Sequence, residues 1–444
     1  MSKIYIDTMG CPKNQEDSER VAGLLKSKGN QIVFSPEDAE VLVINTCGFI
    51  DDAKRESIDR ILELAEYKEV DKNKKIIITG CLAQRYGSEL QKEFEEVDAI
   101  MGVNDYSHIP QVIENITGDD SQKILKIDGE AGFLSGERSP LYSTHTAYLK
   151  VAEGCSNNCS YCVIPHIRGP YRSVKKEDVL EDARSLVKSG AKELVLIAQD
   201  VSAYGIDLYG KYTLPDLLKE LCKIEGVHWI RLMYCYEDRI TDELIQTIAD
   251  EDKICKYIDI PLQHFSDNIL RAMKRQSTSE SIRKTIGKLR ENIPSIVIRT
   301  TFITGFPGEM EEDFKALKDF VQETEFDRLG VFSYSKEEGT PASEMKEQIP
   351  HEVADGRRDD IMRIQMDISF AKNEMMVGKT YDVIIDDIED GICYGRTEFD
   401  APEIDNAVII NSFEGVNIGD LVRVRIVDAY DYDLIGEIED ESTK

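Results

Sequence analysis

The chain has 444 residues, a formal net charge of −31 and 41% apolar residues, enough length for roughly three domains that each bury a core. No run of about 18 apolar residues occurs, so no transmembrane helix is expected, and the acidic balance argues against a surface built mainly to grip phosphates. Ten cysteines in a chain that opens on MSKIYIDTMGC, a strand pattern instead of a secretory leader, are expected in a reducing cytoplasm and in metal or catalytic use.

Residues 1–118 alternate short apolar runs at 3–6, 31–34, 41–45, 75–79 and 99–103 with helical spacing of Val21, Leu24 and Leu25, then Ile58, Ile61, Leu62 and Leu64. That rhythm predicts an α/β domain whose parallel sheet is covered on both faces. Cys11, Cys47 and Cys81 each follow a predicted strand, the last two beside glycine in NTCG and TGC. Ligands of such sheets gather beyond the carboxyl ends of the strands, so three thiols distant in sequence converge on one rim. The expectation is an iron–sulfur cluster with three protein ligands, against the plainer alternative of three unrelated buried thiols.

Residues 119–143, with DDSQK, GEAG and SGERSP, are expected to be a linker. From 144 to 371 a second rhythm begins, with predicted strands at 148–151, 193–198, 229–234, 257–260, 296–303 and 329–334 and helices between them. Six strand-helix units fall short of a closed eight-fold barrel, so a partial (β/α)6 barrel is expected. Directly after its first strand comes Gly154-Cys155-Ser156-Asn157-Asn158-Cys159-Ser160-Tyr161-Cys162. A loop this tight supplies three thiolates to a four-iron cluster and leaves one iron open, whereas zinc wants four ligands and no second C-x-x-C arm lies nearby.

The C-x-x-x-C-x-x-C spacing resembles the signature of radical S-adenosylmethionine (SAM) enzymes, which implies that SAM chelates the open iron and is cleaved by an electron from the cluster. The other strand ends carry Gln199 and Asp200, then Pro261-Leu262-Gln263-His264, then Thr304-Gly305-Phe306-Pro307-Gly308-Glu309. Gln199 and Asp200 are candidates for the ammonium of SAM, and Gly305 and Gly308 for close backbone approach to its adenosine part. For each, a loop residue capping the next helix is the alternative, and a lone His264 is more often structural. Arg299 and Thr301 share one face of the fifth strand.

Residues 376–444 read as five short strands separated by Gly, Asp and Asn, a small β-barrel. They carry eighteen acidic and five basic side chains, a net of −13, the wrong sign for an RNA-binding barrel. The remaining cysteines, Cys222, Cys235, Cys255 and Cys393, stand singly and are expected to be ordinary buried thiols, though Cys235 has no evident role.

Together the three parts resemble the methylthiotransferases, radical SAM enzymes with an amino-terminal cluster domain, a central partial barrel and a carboxyl-terminal TRAM domain. The resemblance spans the chain and rests on MGCPKNQEDSE (9–19), VINTCGFIDDAKRESID (43–59), LKVAEGC (149–155), YCVIPHIRGPYRS (161–173), LIAQDVSAYGIDLYG (196–210), DIPLQHFSDNIL (259–270) and DRLGVFSYSKEEGT (327–340). It implies two 4Fe-4S clusters, on Cys11, Cys47 and Cys81 and on Cys155, Cys159 and Cys162, with SAM as the other cofactor. It also implies insertion of sulfur and a methyl group at the β-carbon of an aspartate in ribosomal protein S-twelve. A cofactor-borne radical suits that aliphatic C–H bond, which has no useful acidity. The sister enzymes that modify tRNA adenosine carry Gln-Met in place of Pro12-Lys13 and a basic TRAM domain; this chain has neither. A non-enzymatic cluster scaffold is the third reading, disfavoured by the polar strand-end set. Glu237 departs from the family, where proline is common. An electron donor of unidentified kind is required; neither a membrane nor a nucleic-acid partner is expected.

Overall fold

The computed structural model describes residues 1–118, 122–134, 136–411 and 415–439. Parts of the expected linker (119–121 and 135) and of the expected carboxyl-terminal domain (412–414 and 440–444) lie outside the described residues.

The first unit contains β1 (Lys3–Thr8), α1 (Pro12–Ser27), β2 (Gln31–Val33), β3 (Val41–Thr46), α2 (Asp51–Val70), β4 (Lys75–Gly80), α3 (Cys81–Glu93), β5 (Ala99–Met101), α4 (Ile109–Thr117) and β6 (Ile124–Lys126). Its six strands are parallel in the order β2-β1-β3-β4-β5-β6. Every residue of β3, VLVINT, is buried, as a strand covered on both faces requires. One correction concerns the expected linker: it supplies β6, an edge strand paired to β5 through Ala99 and Ile124. Three residues of mixed character, ILK, are too short to show a period.

The second unit begins with β7 (Thr146–Lys150) and the short pair β8 (Ala152–Glu153) and β9 (Arg172–Ser173), which frames the cysteine loop and α5 (Ile164–Arg168). It continues through α6 (Lys176–Lys188), β10 (Glu193–Ile197), α7 (Ile206–Tyr209), α8 (Leu214–Cys222), β11 (Trp229–Leu232), α9 (Asp242–Asp250) and β12 (Ile254–Asp259). Then come α10 (Asp267–Ala272), α11 (Ser279–Asn292), β13 (Val297–Thr304), α12 (Glu311–Thr324), β14 (Arg328–Ser333) and α13 (His351–Glu374). Six parallel strands stand in chain order, β14-β13-β12-β11-β10-β7, the open partial barrel expected from six strand-helix units. Helix α13, absent from the sequence reading, packs on β13, β14 and α12.

The third unit is a closed barrel of β15 (Thr380–Glu389), β16 (Ile392–Arg396), β17 (Val408–Ile410), β18 (Leu421–Ala429) and β19 (Leu434–Ile438). It caps the amino-terminal end of the central strands, where Ile384, Ala401 and Leu421 pack with Val195, Trp229, Cys255 and Tyr257. Several of its charges serve this junction. Arg396 bonds Glu193 at 2.8 Å, Glu193 bonds Arg231 at 2.7 Å, and Asp400 bonds Arg328 at 2.6 Å, all buried. Asp386, expected on the acidic face, instead pairs with Arg396 at 2.6 Å and with His145 at 2.9 Å. Among the described residues no helix is long and apolar enough to cross a membrane.

Candidate active site between two cysteine triads

Each thiol of the first triad stands at a strand end. Cys11 is the N-cap of α1, Cys47 follows β3, and Cys81 opens α3. The loops close on one another only because glycine stands beside each thiol. A Cβ on Gly10, whose φ is +87°, would lie 2.7 Å from the Cys47 Cβ, and one on Gly48 would lie 2.7 Å from the Leu82 Cα. Asn14 Nδ2 donates to the Met9 and Thr46 carbonyls at 2.9 and 3.1 Å, tying the first turn of α1 to the end of β3. Burial, aided by Cys81 and Cys11, pushes the Cys47 thiol up to about 12. Burial raises Cys81 too, against the opposing charge of Arg168.

The second triad lies just beyond β7 and β8. The Asn157 backbone N–H and its Nδ2 both donate to Cys155 Sγ at 3.4 Å, and the Ile164 N–H donates to Cys162 Sγ at 3.5 Å. Tyr161 sets its ring edge against Phe306, centroids 6.5 Å apart, walling one side. Burial raises Cys155 and pushes Cys162 up to about 12. A cavity of about 890 Å³ adjoins the loop, lined by Asn157, Cys159, Cys162, Tyr236, Arg239 and Arg275 among others.

Both triads fit an iron–sulfur cluster. In each triad two thiols are buried and the third, Cys11 or Cys162, is half-buried; neighbouring thiolates repel one another, and cluster iron would supply the positive charge that relieves them. Among the described residues no three Cys, His, Asp or Glu side chains converge on a point suited to a single metal ion; thiols that each take a separate corner of a cubane need not converge.

Arg168, the last residue of α5, joins the triads. Its Nη1 donates to Asp17 at 2.6 Å and Glu153 at 3.3 Å, and its Nη2 to Asn14 Oδ1 at 2.6 Å and Cys81 Sγ at 3.4 Å. Thus the helix that follows one cysteine loop reaches a thiol of the other set. Beside it Lys150 of β7 bonds Glu16 at 2.7 Å and Glu153 at 3.1 Å, and also Asp17. Burial alone would raise the Glu16 carboxyl, yet Lys150 and Arg20 hold it down at about 2. The Lys13 ammonium stands 3.2 Å from the Tyr234 ring centroid at the mouth of the barrel, and burial lowers its pKa.

The strand-end candidates separate. Gln199 Nε2 donates to Glu153 at 2.7 Å, while its Oε1 is buried without a donor among the described residues. Asp200 is fully engaged: it accepts from Ser202 Oγ at 2.7 Å, the Ala203 N–H at 3.1 Å and Asn157 Nδ2 at 3.3 Å, and it pairs with Arg239. A Cβ on Gly305 would lie 2.2 Å from the Ala354 Cβ, so that glycine admits α13. His264 accepts from the Ser266 N–H at 3.0 Å and, buried, falls to about 3, a neutral structural residue. Arg299 bonds Asp259 at 3.0 Å and Asp405 of the third unit at 3.3 Å; Thr301 shares its face.

Cys222, Cys235, Cys255 and Cys393 are core thiols. Glu237 is buried and accepts from Thr285 Oγ1 at 2.7 Å, fastening its loop to α11. Sequence reasoning missed Arg168, Arg239 and Glu153. Arg168 and Glu153 lie inside quoted motifs and Arg239 two residues after Glu237, but nothing local distinguishes an inward charge from a solvated one.

Three family models match in order: "Uncharacterized protein family UPF0004" over residues 3–102, the "Radical SAM superfamily" over 149–321 and the "TRAM domain" over 377–438. A protein of Clostridioides difficile (strain 630), named "Ribosomal protein uS12 methylthiotransferase RimO", is 48% identical over 442 residues, 99% of each chain. Proteins of the same name from Acetivibrio thermocellus and Thermoanaerobacter sp. are 49% and 50% identical, covering 100% and 98% of this chain and 99% and 100% of theirs. Among solved structures, the radical SAM methyltransferase TsrM from Kitasatospora setae aligns at TM-score 0.56 with 13% identity, over 89% of this chain and 81% of its own. The cobalamin-dependent radical SAM enzyme OxsB aligns at 0.52 with 11% identity, over 82% of this chain and 56% of its own. These two likenesses concern the fold.

Proposed function

The chain belongs to the radical SAM methylthiotransferases that act on ribosomal protein uS12, and from that premise we propose which of its residues serve the reaction and which atom of uS12 they reach. Cys155, Cys159 and Cys162 hold the cluster that binds SAM; Cys11, Cys47 and Cys81 hold a second cluster; the target is the β-carbon of an aspartate. When bound, these cofactors supply the one-electron chemistry, the sulfur and the methyl group. The observation that supports the assignment is the Arg168 link, which runs from the helix after the second triad to Glu153 and to a thiol of the first.

The protein's part is positioning and exclusion of water. Arg168 and Lys150 lock α1 to β7 through Asp17, Glu153 and Glu16, so the two sets of thiols keep a constant separation. Gln199 offers its unpartnered Oε1 to the ammonium of SAM, whereas Asp200 holds Arg239 and Asn157 in the cavity wall and Gly305 lets α13 pack against the barrel end. Tyr161 and Phe306 keep water from the cluster loop.

The test is paired. Replacing Cys155, Cys159 and Cys162 by Ala should leave about half the iron, as expected for two independent four-iron sites, and abolish SAM cleavage; replacing Cys11, Cys47 and Cys81 should spare cleavage and stop sulfur insertion. Full iron in either triple variant would disprove the assignment. Mass spectrometry of uS12 from cells lacking the protein decides the substrate, since an unmodified tRNA with normally modified uS12 would transfer the reading to the adenosine-modifying sister class.

A further inference from the structure

Lys13 is a buried cation whose neighbouring carboxylates are already taken. It is 9% exposed, and the ionisable groups around it are Cys11, Glu153, Arg168 and Asp259. Glu153 is held by Lys150, Arg168 and Gln199. Asp259 accepts from the Tyr234 N–H at 2.9 Å and from Arg299 at 3.0 Å. Among the described residues no carboxylate pairs with the Lys13 ammonium; its close contact is the Tyr234 ring face. The cations that the strands themselves send inward, Lys150, Arg231 and Arg299, all have carboxylate partners.

A buried ammonium is costly without an anion in hydrogen-bond reach; the ring face offsets part of that cost, and the charge of Cys11 acts on it through space without a hydrogen bond. Its place is informative. Lys13 follows Cys11 by two positions on the first turn of α1, and its ammonium lies over the ring of Tyr234, two positions before Tyr236, whose hydroxyl is 3.8 Å from Cys159 Sγ. The ammonium therefore borders the space that both triads face.

We infer that Lys13 receives the side-chain carboxylate of the uS12 substrate aspartate, and so holds the carbon one bond away between the two cysteine triads. The inference rests on the reading that the target is an aspartate. It makes Lys13 a specificity determinant: a carboxylate supplies an anionic hydrogen-bond partner, whereas an amide or a nucleobase edge supplies only a neutral one. The pair forms away from bulk water, where charge-assisted hydrogen bonds discriminate strongly.

Equilibrium binding tests this without turnover. Recombinant uS12, and uS12 with its target aspartate changed to asparagine, are titrated onto cluster-loaded enzyme in the absence of reductant. Wild-type enzyme should prefer the acid by about 10- to 100-fold, the worth of one charged hydrogen bond. Lys13→Met and Lys13→Gln, both close in shape, should bind the two forms alike, and Lys13→Arg should recover part of the preference. A merely structural lysine would change both affinities together and leave their ratio intact.

An acid-over-amide ratio retained by either neutral variant overturns the inference. So does a wild-type enzyme that binds the two forms equally, a comparison that stands even where the variants fail to load iron. A uS12 mass unaffected by loss of the enzyme is a different result, and sinks the substrate reading instead.

Discussion

Arg168→Met removes the side chain that reaches from the helix after one cysteine loop to a thiol of the other triad. The guanidinium makes four contacts, to Asp17, Glu153, Asn14 and Cys81, and methionine replaces its stem without its charge. Taking one partner from a buried ion pair costs about 3–5 kcal/mol. Lys150 still holds Asp17 and Glu153 in the variant, so the lower end applies, about 3 kcal/mol. That loss falls on the contact between α1 and the barrel, and at about 1.4 kcal/mol per tenfold it should accelerate exchange through local opening by roughly a hundredfold. Hydrogen exchange followed by mass spectrometry on residues 13–20 reads this directly. The same loosening should lower the amount of methylthiolated uS12 formed per SAM cleaved, with Arg168→Lys intermediate because it restores charge but not the fork. Unchanged protection of α1, together with an unchanged product ratio, would refute the bridge.

Gln199→Leu should weaken SAM binding about 10- to 150-fold, since a hydrogen bond to a charged group is worth about 1.5–3 kcal/mol; unaltered affinity by equilibrium titration returns Gln199 to the task of holding Glu153. Burial raises the Glu309 carboxyl to about 7 although Arg357 and the backbone N–H groups of Gly305 and Phe306 oppose it. A carboxyl whose folded pKa lies above its unfolded value stabilises the fold fully below about pH 4.5 and loses that contribution as pH rises through 7, about 3 kcal/mol at most. Glu309→Gln should therefore flatten the fall in apparent melting temperature between pH 5 and 8, and an identical pH profile would show that Glu309 titrates normally. Reversing the exposed acids Asp387, Glu389 and Asp390 to Lys should slow encounter with basic uS12, most at low salt, because such steering is screened over roughly 8 Å at physiological ionic strength. Equal rates at low and high salt in both proteins would show that these acids do not steer the encounter. Asp386 is excluded from that set because it holds Arg396.

The sequence by itself determined the layers and singled out the two cysteine triads. Apolar runs at strand spacing located all six barrel strands and all five strands of the terminal barrel, because a strand covered on both faces, or on alternate ones, writes its burial into local order. Both cysteine triads were legible for a related reason: metal ligands are rare residue types, and in a parallel sheet topology alone carries strand ends to one rim.

What the tertiary structure alone decided is where charge goes. Glu16, Asp17 and Glu19 are charged residues of α1, yet they are buried because that face is covered by Lys150 and Arg168 of the second unit and by Arg138 of the segment before it. The same holds for Asp400 and Asp405, acids of the terminal barrel that fasten it to Arg328 and Arg299, and for Asp200, spent on a turn and on Arg239. Helical or strand period reports which side of an element is apolar. An inward charge is set by a partner that the local pattern does not contain, so neither the paired Lys150 nor Lys13, which has no carboxylate partner among the described residues, could be told from a solvated lysine.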